Sequence, residues 1–262
     1  MTYEQIRVER DGPIASIVLN RPEARNAMTA RMGAEITRAV AELNADADVR
    51  VVLARGEGKA FAAGGDFKFL EERAADLPER NRAAMGDFYR SFLSIRKLRV
   101  PSIAVLHGAA VGAGLCFALA CDIRLAAEGA KLGLNFVRIG IHPGMGGSWL
   151  LPRLVGPAKA AELILTGRII EAAEAARIGL VNDVFAPDQL SGVARAMAEE
   201  IATAAPIAVA QAKGSIYRSL ERSLDVSLEE EAYAQAVDYA TADFAEGVRS
   251  FYERRAPRFE GR

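Results

Sequence analysis

Short apolar runs alternate with helical patterns through the first half of this 262-residue chain, and that alternation restricts its fold more than any other feature. Residues 14–20 (IASIVLN), 49–54, 102–106 (SIAVL) and 122–126 each read as a strand, the second of them fit for burial on both faces. Between them, Thr29 is placed to cap a helix running to about residue 44, with Met32, Ile36, Val40 and Leu43 recurring on one face. Another helix begins near Phe67, residues 79–97 read as helical, and a further helix spans 114–120. Strand, helix, strand, helix predicts a mostly parallel sheet with right-handed crossovers. From about residue 190 the pattern is helical throughout, with turns near Ala205-Pro206, Leu224-Asp225 and Ala240 to Asp243. The expected division is therefore a core over 1–190 and a helical C-terminal region over 191–262.

With 51% hydrophobic residues, the chain has ample material for a buried core. A net charge of −1 and the lack of any polybasic run argue against a nucleic-acid partner. Cys116 and Cys121 lie five apart inside one predicted helix, which is neither a metal nor a redox spacing and excludes a disulfide framework. The first twenty residues lack a basic segment followed by a long apolar one, so no signal peptide is read there. The most apolar run, around 111–121, is too short to span a bilayer. These features predict a cytoplasmic α/β protein with no metal.

Two turns share a design. Ala62-Ala63-Gly64-Gly65-Asp66 and Val111-Gly112-Ala113-Gly114 each end a strand and start a helix. Small residues let the backbone approach a ligand closely. The first N–H groups of a helix lack internal partners and lie in positive potential. Two such groups aimed at one point trap a carbonyl oxygen that gains negative charge.

With these turns stand the stretches AFAAGGDFKFL, PSIAVLHGAAVGAGLCFALACDIRLAAEGAKLG, GIHPGMGGSWLLPRLVG and AAELILTGRIIEAAEAARIGLVNDV. Together with RPEARNAM and FYERRAPRFEGR, they resemble the enoyl-CoA hydratase/isomerase (crotonase) family over nearly the whole chain. The resemblance implies a crotonase-like spiral of ββα units with a helical trimerisation region, assembled as a trimer or a dimer of trimers. It implies an acyl-CoA ligand, coenzyme A entering as part of the substrate and not as a cofactor. Carried over by position, the oxyanion N–H groups belong to Gly65 and Ala113, alanine standing where the family often has glycine. Residues 65–68 would line the pantetheine path, with Lys68 and Arg25 near the phosphates. Ala63, Cys116, Phe136 and Gly144 would contact the substrate.

The resemblance also exposes a departure. Hydratases of the family share two glutamates, one three residues after the second oxyanion residue and one seven residues before the proline of the Pro-Gly turn. Here those positions are Cys116 and Phe136. Around Phe136 and the Pro-Gly turn the nearest carboxylates in sequence are Glu128 upstream and Glu162 downstream. Each well-placed acid or base contributes a factor of about a hundred to ten thousand, and Phe136 can supply neither. A helix N-terminus lowers a thiol's pKa, which leaves Cys116 a substitute. His142, at the lip of the expected pocket, is a natural acid/base. Asp66 is a further candidate that also suits a helix N-cap. His107 reads as structural, and Tyr89 and Asp87 lie on a helix able to cover the pocket. Two functions follow: an acyl-CoA enzyme of the hydratase/isomerase type with a non-standard acid/base set, weak in crotonyl-CoA hydration, or an acyl-CoA-binding protein without chemistry.

Overall fold

The computed structural model describes residues 3–262. In chain order its core elements are β1 (Ile6–Asp11), β2 (Ile14–Leu19), α1 (Ala30–Ala45), β3 (Val51–Gly56), β4 (Ala60–Ala62), α2 (Phe67–Ala74), α3 (Pro78–Phe92), β5 (Ser102–Leu106), β6 (Ala109–Val111) and α4 (Ala113–Leu119). Then follow β7 (Ile123–Ala127), β8 (Lys131–Gly133), α5 (Gly147–Thr166), β9 (Ile170–Glu171), α6 (Ala172–Arg177), β10 (Asp183–Phe185) and α7 (Leu190–Ala202). Three helices complete the chain: α8 (Pro206–Ser219), α9 (Leu224–Tyr239) and α10 (Ala242–Glu253).

Two strands and at least one helix recur as a unit. In the pairs β3-β4, β5-β6 and β7-β8 the first strand enters a six-stranded sheet ordered β1-β2-β3-β5-β7-β10, and the second enters a four-stranded sheet ordered β4-β6-β8-β9; in the last pair, β9-β10, the order is reversed. Within the large sheet β1 and β2 pair antiparallel and the remaining neighbours are parallel. The expected mostly parallel sheet is thus present, and the second sheet gives the spiral of ββα units.

The four expected strands correspond to β2, β3, β5 and β7. The Thr29 side chain caps α1 by accepting the Met32 N–H at 3.1 Å. Met32, Ile36, Val40 and Leu43 of α1 are buried as their spacing requires. Strand β1 was not expected, because its sequence IRVERD is mostly charged. A buried carboxylate anchors its start: Glu35 of α1 accepts the N–H groups of Gln5 at 2.9 Å and Ile6 at 3.2 Å.

Helix α7 sits inside the core layer, although it lies almost wholly beyond residue 190. Leu190, Ala194, Ala198 and Ala202 pack on Val51, Leu53, Ile103 and Val105 and cover one face of the large sheet. Small residues at every fourth position let the helix lie close to the strands. The helical layer that leaves the core therefore begins at α8. There Lys213 and Tyr217 reach back to Asp122, at 2.8 Å and 2.7 Å, and clamp α8 to the end of β7. No helix among the described residues is long and apolar enough to cross a membrane.

Candidate active site

The small sheet brings the two glycine-containing turns together. Strands β4 and β6 pair in parallel, Ala60 with Ala109 and Ala62 with Ala110, so the chain leaves both in the same direction. Gly64 has φ +109°, and a Cβ there would stand 3.1 Å from the Val111 carbonyl oxygen. Gly112 has φ +54°, and its Cβ would stand 3.9 Å from Gly64 Cα. Both positions need glycine, one for backbone shape and close approach, the other for shape.

The residue following each glycine carries a backbone N–H outside the ladder. Met28 donates to the Gly64 carbonyl at 2.8 Å and Asp66 donates to the Met28 carbonyl at 3.0 Å, a parallel bridge centred on Gly65. This pattern turns the Gly65 N–H away from Met28. Ala113 opens α4, and Cys116 is the residue that donates back to Gly112, at 3.1 Å. The Ala113 N–H thus precedes the helical bonds. Gly65 and Ala113 line the same cavity.

That cavity has a volume of about 90 Å³. Its wall is mostly apolar, with Phe69, Leu70, Met85, Phe88, Phe136 and Met145 among the side chains. Helices α2 and α3 form one side, joined by stacking of Phe69 on Phe88 with ring centroids 5.1 Å apart. Three wall residues carry strong hydrogen-bonding side chains: Tyr89, Asn135 and His142.

Ala63, Gly65, Ala113, Phe136, His142 and Gly144 of the expected site residues all line the cavity. His142 Nδ1 lies 2.8 Å from the Pro143 carbonyl. A carbonyl only accepts, so Nδ1 carries the proton and Nε2 keeps its lone pair in the neutral ring.

Cys116 does not line the cavity, contrary to the sequence expectation. It is fully buried behind the wall, where its thiol donates to the Gly144 carbonyl at 3.4 Å. Burial pushes its pKa up to about 12, the reverse of the lowering expected from a helix N-terminus, because desolvation of a thiolate outweighs the helix field.

Asp66 also lies outside the wall. One carboxylate oxygen accepts the Lys68 N–H at 3.1 Å and caps α2, and the other meets Arg21 at 3.1 Å. Arg21 further donates to the Ala27 carbonyl at 2.7 Å, so it ties together the two segments that flank the Met28–Gly65 bridge. Asp66 therefore holds the turn. Arg25 and Lys68 are exposed and absent from the cavity wall; the Arg25 carbonyl accepts the Ala63 N–H at 3.0 Å. Asp87 is exposed and pairs with Arg90 at 2.8 Å, and His107 meets the Gly58 carbonyl at 3.0 Å.

Tyr89 and Asn135 are wall residues that the motif spacing does not single out. The available signal for Tyr89 was its place beside Met85, Phe88 and Phe92, a hydroxyl on the apolar stripe of a helix. Asn135 had none beyond adjoining Phe136.

Comparison with known proteins extends the likeness to the full chain. The sequence profile of the enoyl-CoA hydratase/isomerase family matches residues 9–262. A probable enoyl-CoA hydratase of Mycobacterium tuberculosis is 42% identical over 262 residues, covering 100% of both chains. A crotonyl-CoA hydratase of Syntrophomonas wolfei is 37% identical over 260 residues, covering 99% of both. The crystal structure of an enoyl-CoA hydratase from Bacillus anthracis superposes with a TM-score of 0.93 at 38% identity, over 99% of this chain and 100% of that one. From its paired turns to its C-terminal helices, the chain belongs to the enoyl-CoA hydratase/isomerase family.

Proposed function

We propose that the protein is an acyl-CoA enzyme that polarises its substrate's thioester carbonyl with the backbone N–H groups of Gly65 and Ala113. What supports this most is that Gly65, its N–H turned away from Met28, and Ala113, the first residue of α4, line one small apolar cavity. Donors fixed in advance stabilise the enolate oxygen without reorganising, which lowers the barrier to chemistry at the α- and β-carbons. The acid/base set is non-standard, because the positions that resemble the family's glutamates are Cys116 and Phe136. His142 lines the cavity, and with Nδ1 donating to the Pro143 carbonyl its Nε2 is left to accept a proton. Hydration of crotonyl-CoA is accordingly slow beside an ordinary hydratase. Arg25 and Lys68 serve the nucleotide end from outside the acyl cavity, and the small cavity favours a short acyl chain.

A non-catalytic acyl-CoA-binding role is the second reading. The absence of any carboxylate from the cavity wall favours it. Turnover of any enoyl thioester rejects it.

Exposed apolar residues on the last helices, among them Leu220, Tyr233, Phe251 and Tyr252, support assembly as a homotrimer or hexamer. Sedimentation at micromolar concentration checks this, and a monomer contradicts it. The ligand class is tested by calorimetry with acetoacetyl-CoA and with acetoacetate. The thioester binds far more tightly; equal affinities remove the assignment.

A further inference from the structure

We infer that the Tyr89 hydroxyl is the proton donor to the α-carbon of the bound thioester, which makes it a catalytic residue. The inference rests on the acyl-CoA reading above. Helix α3 delivers Tyr89 to the wall of the cavity that Gly65 and Ala113 also line. Tyr89, Gly65 and Ala113 thus border one cavity of about 90 Å³.

The hydroxyl occupies a space kept open for it. A Cβ on Gly144 would stand 2.6 Å from the Tyr89 oxygen, so any larger residue at 144 would displace it. The carbonyl of that same glycine accepts the Cys116 thiol. Tyr89 and Cys116 thus meet at one residue, and the tyrosine reaches the cavity where the cysteine does not. No hydrogen bond from the Tyr89 hydroxyl to another described residue competes for its proton. Burial, reinforced by Cys116, raises the phenol's pKa above its ordinary value, which keeps it protonated and a donor.

The proton balance closes with His142. Water's oxygen bonds to the β-carbon as His142 Nε2 takes one of its protons. The carbon–carbon π pair moves toward the carbonyl, and the enolate oxygen is held by the Gly65 and Ala113 N–H groups. The enolate then re-forms the carbonyl, and its α-carbon takes the Tyr89 proton. The proton on His142 returns to the tyrosinate through solvent. One water and one enoyl thioester give one 3-hydroxyacyl thioester, with no oxidant or reductant.

The test is steady-state hydration of crotonyl-CoA by the wild type, Tyr89→Phe and His142→Gln, each with calorimetric binding of acetoacetyl-CoA. Tyr89→Phe keeps the ring packed edge-on to Phe88 and removes only the hydroxyl. It should bind the thioester within about twofold of wild type while kcat falls at least about 100-fold, the size of a lost acid or base. Unchanged kcat in Tyr89→Phe overturns the inference. So does a wild type that binds acetoacetyl-CoA and hydrates nothing, although acyl-CoA binding then stands. A wild type that binds no thioester removes the underlying acyl-CoA reading as well.

Discussion

The paired turns and the cavity wall between them use the sequence in different ways. In the proposed reading the working atoms at the turns are backbone N–H groups, which every residue but proline supplies. Constraint there falls on the neighbours, Gly64 and Gly112, whose positive φ angles shape the backbone. Ala113 can replace glycine without altering the donor. At the wall the proposed chemistry would belong to side chains, so Phe136 in the wall and Cys116 buried behind it would change it outright. On that reading an oxyanion frame can outlast changes that would remove a general acid.

The largest effect comes from returning carboxylates to the wall. Cys116→Glu with Phe136→Glu should raise crotonyl-CoA hydration by at least about 100-fold, measured by loss of the enoyl absorbance. The gain is partial, since Cys116 sits behind the wall and nothing there orients a carboxylate. Each single change should do little, because the two acids act as a unit. A folded, thioester-binding double variant with no gain would show that these positions do not face the substrate.

A smaller effect tests the turns. Gly64→Ala forces a side chain onto φ +109° and against the Val111 carbonyl. It should lower stability by about 1–3 kcal/mol in urea denaturation and weaken turnover. Wild-type stability would mean that the two turns can separate freely.

Smallest is Cys116→Ala. It removes a buried thiol that donates one weak bond, so stability should fall by about 1 kcal/mol and kcat should stay within about threefold. The same thiol, its pKa at about 12, should resist iodoacetamide in the native protein at pH 8. Stability present with the neutral thiol is lost only as pH rises past the unfolded cysteine range. Rapid alkylation, read by mass spectrometry, would restore Cys116 as a candidate nucleophile or base.

Legibility followed the same division. The short apolar runs announced β2, β3, β5 and β7, and their alternation with helices announced a parallel sheet. The small sheet stayed hidden because β4, β6 and β8 are three residues each and two of them are alanine-rich, with little strand propensity of their own. They form because neighbouring units hold them in register. Only the family resemblance implied the second strand of each unit. Strand β1 depends on Glu35, about thirty residues away, and no local pattern encodes that contact. The small-residue stripe of α7 looked like part of a helical appendage until the sheet beneath it was seen.

In the candidate site, Gly65, Ala113, Phe136, His142 and Gly144 were found because they lie inside motifs of fixed spacing. Tyr89 lies on α3, which packs chiefly on α1 and meets α2 through Phe88 and Phe69. Asp66 illustrates the reverse: an acid beside the key turn in sequence whose carboxylate is spent on a helix cap and on Arg21.

The measurement that most directly tests the backbone trap compares Gly65→Pro with Gly65→Ala. A Cβ at 65 would meet only Leu70, at an ordinary 3.8 Å, so alanine fits and keeps the N–H. Proline deletes that donor, a loss of about 3 kcal/mol in transition-state stabilisation. With both variants folded by circular dichroism, the alanine protein should turn over crotonyl-CoA at close to the wild-type rate and the proline protein about 100-fold more slowly. Equal rates in the two would contradict the account, because Gly65 would then be a turn residue whose N–H does no chemistry.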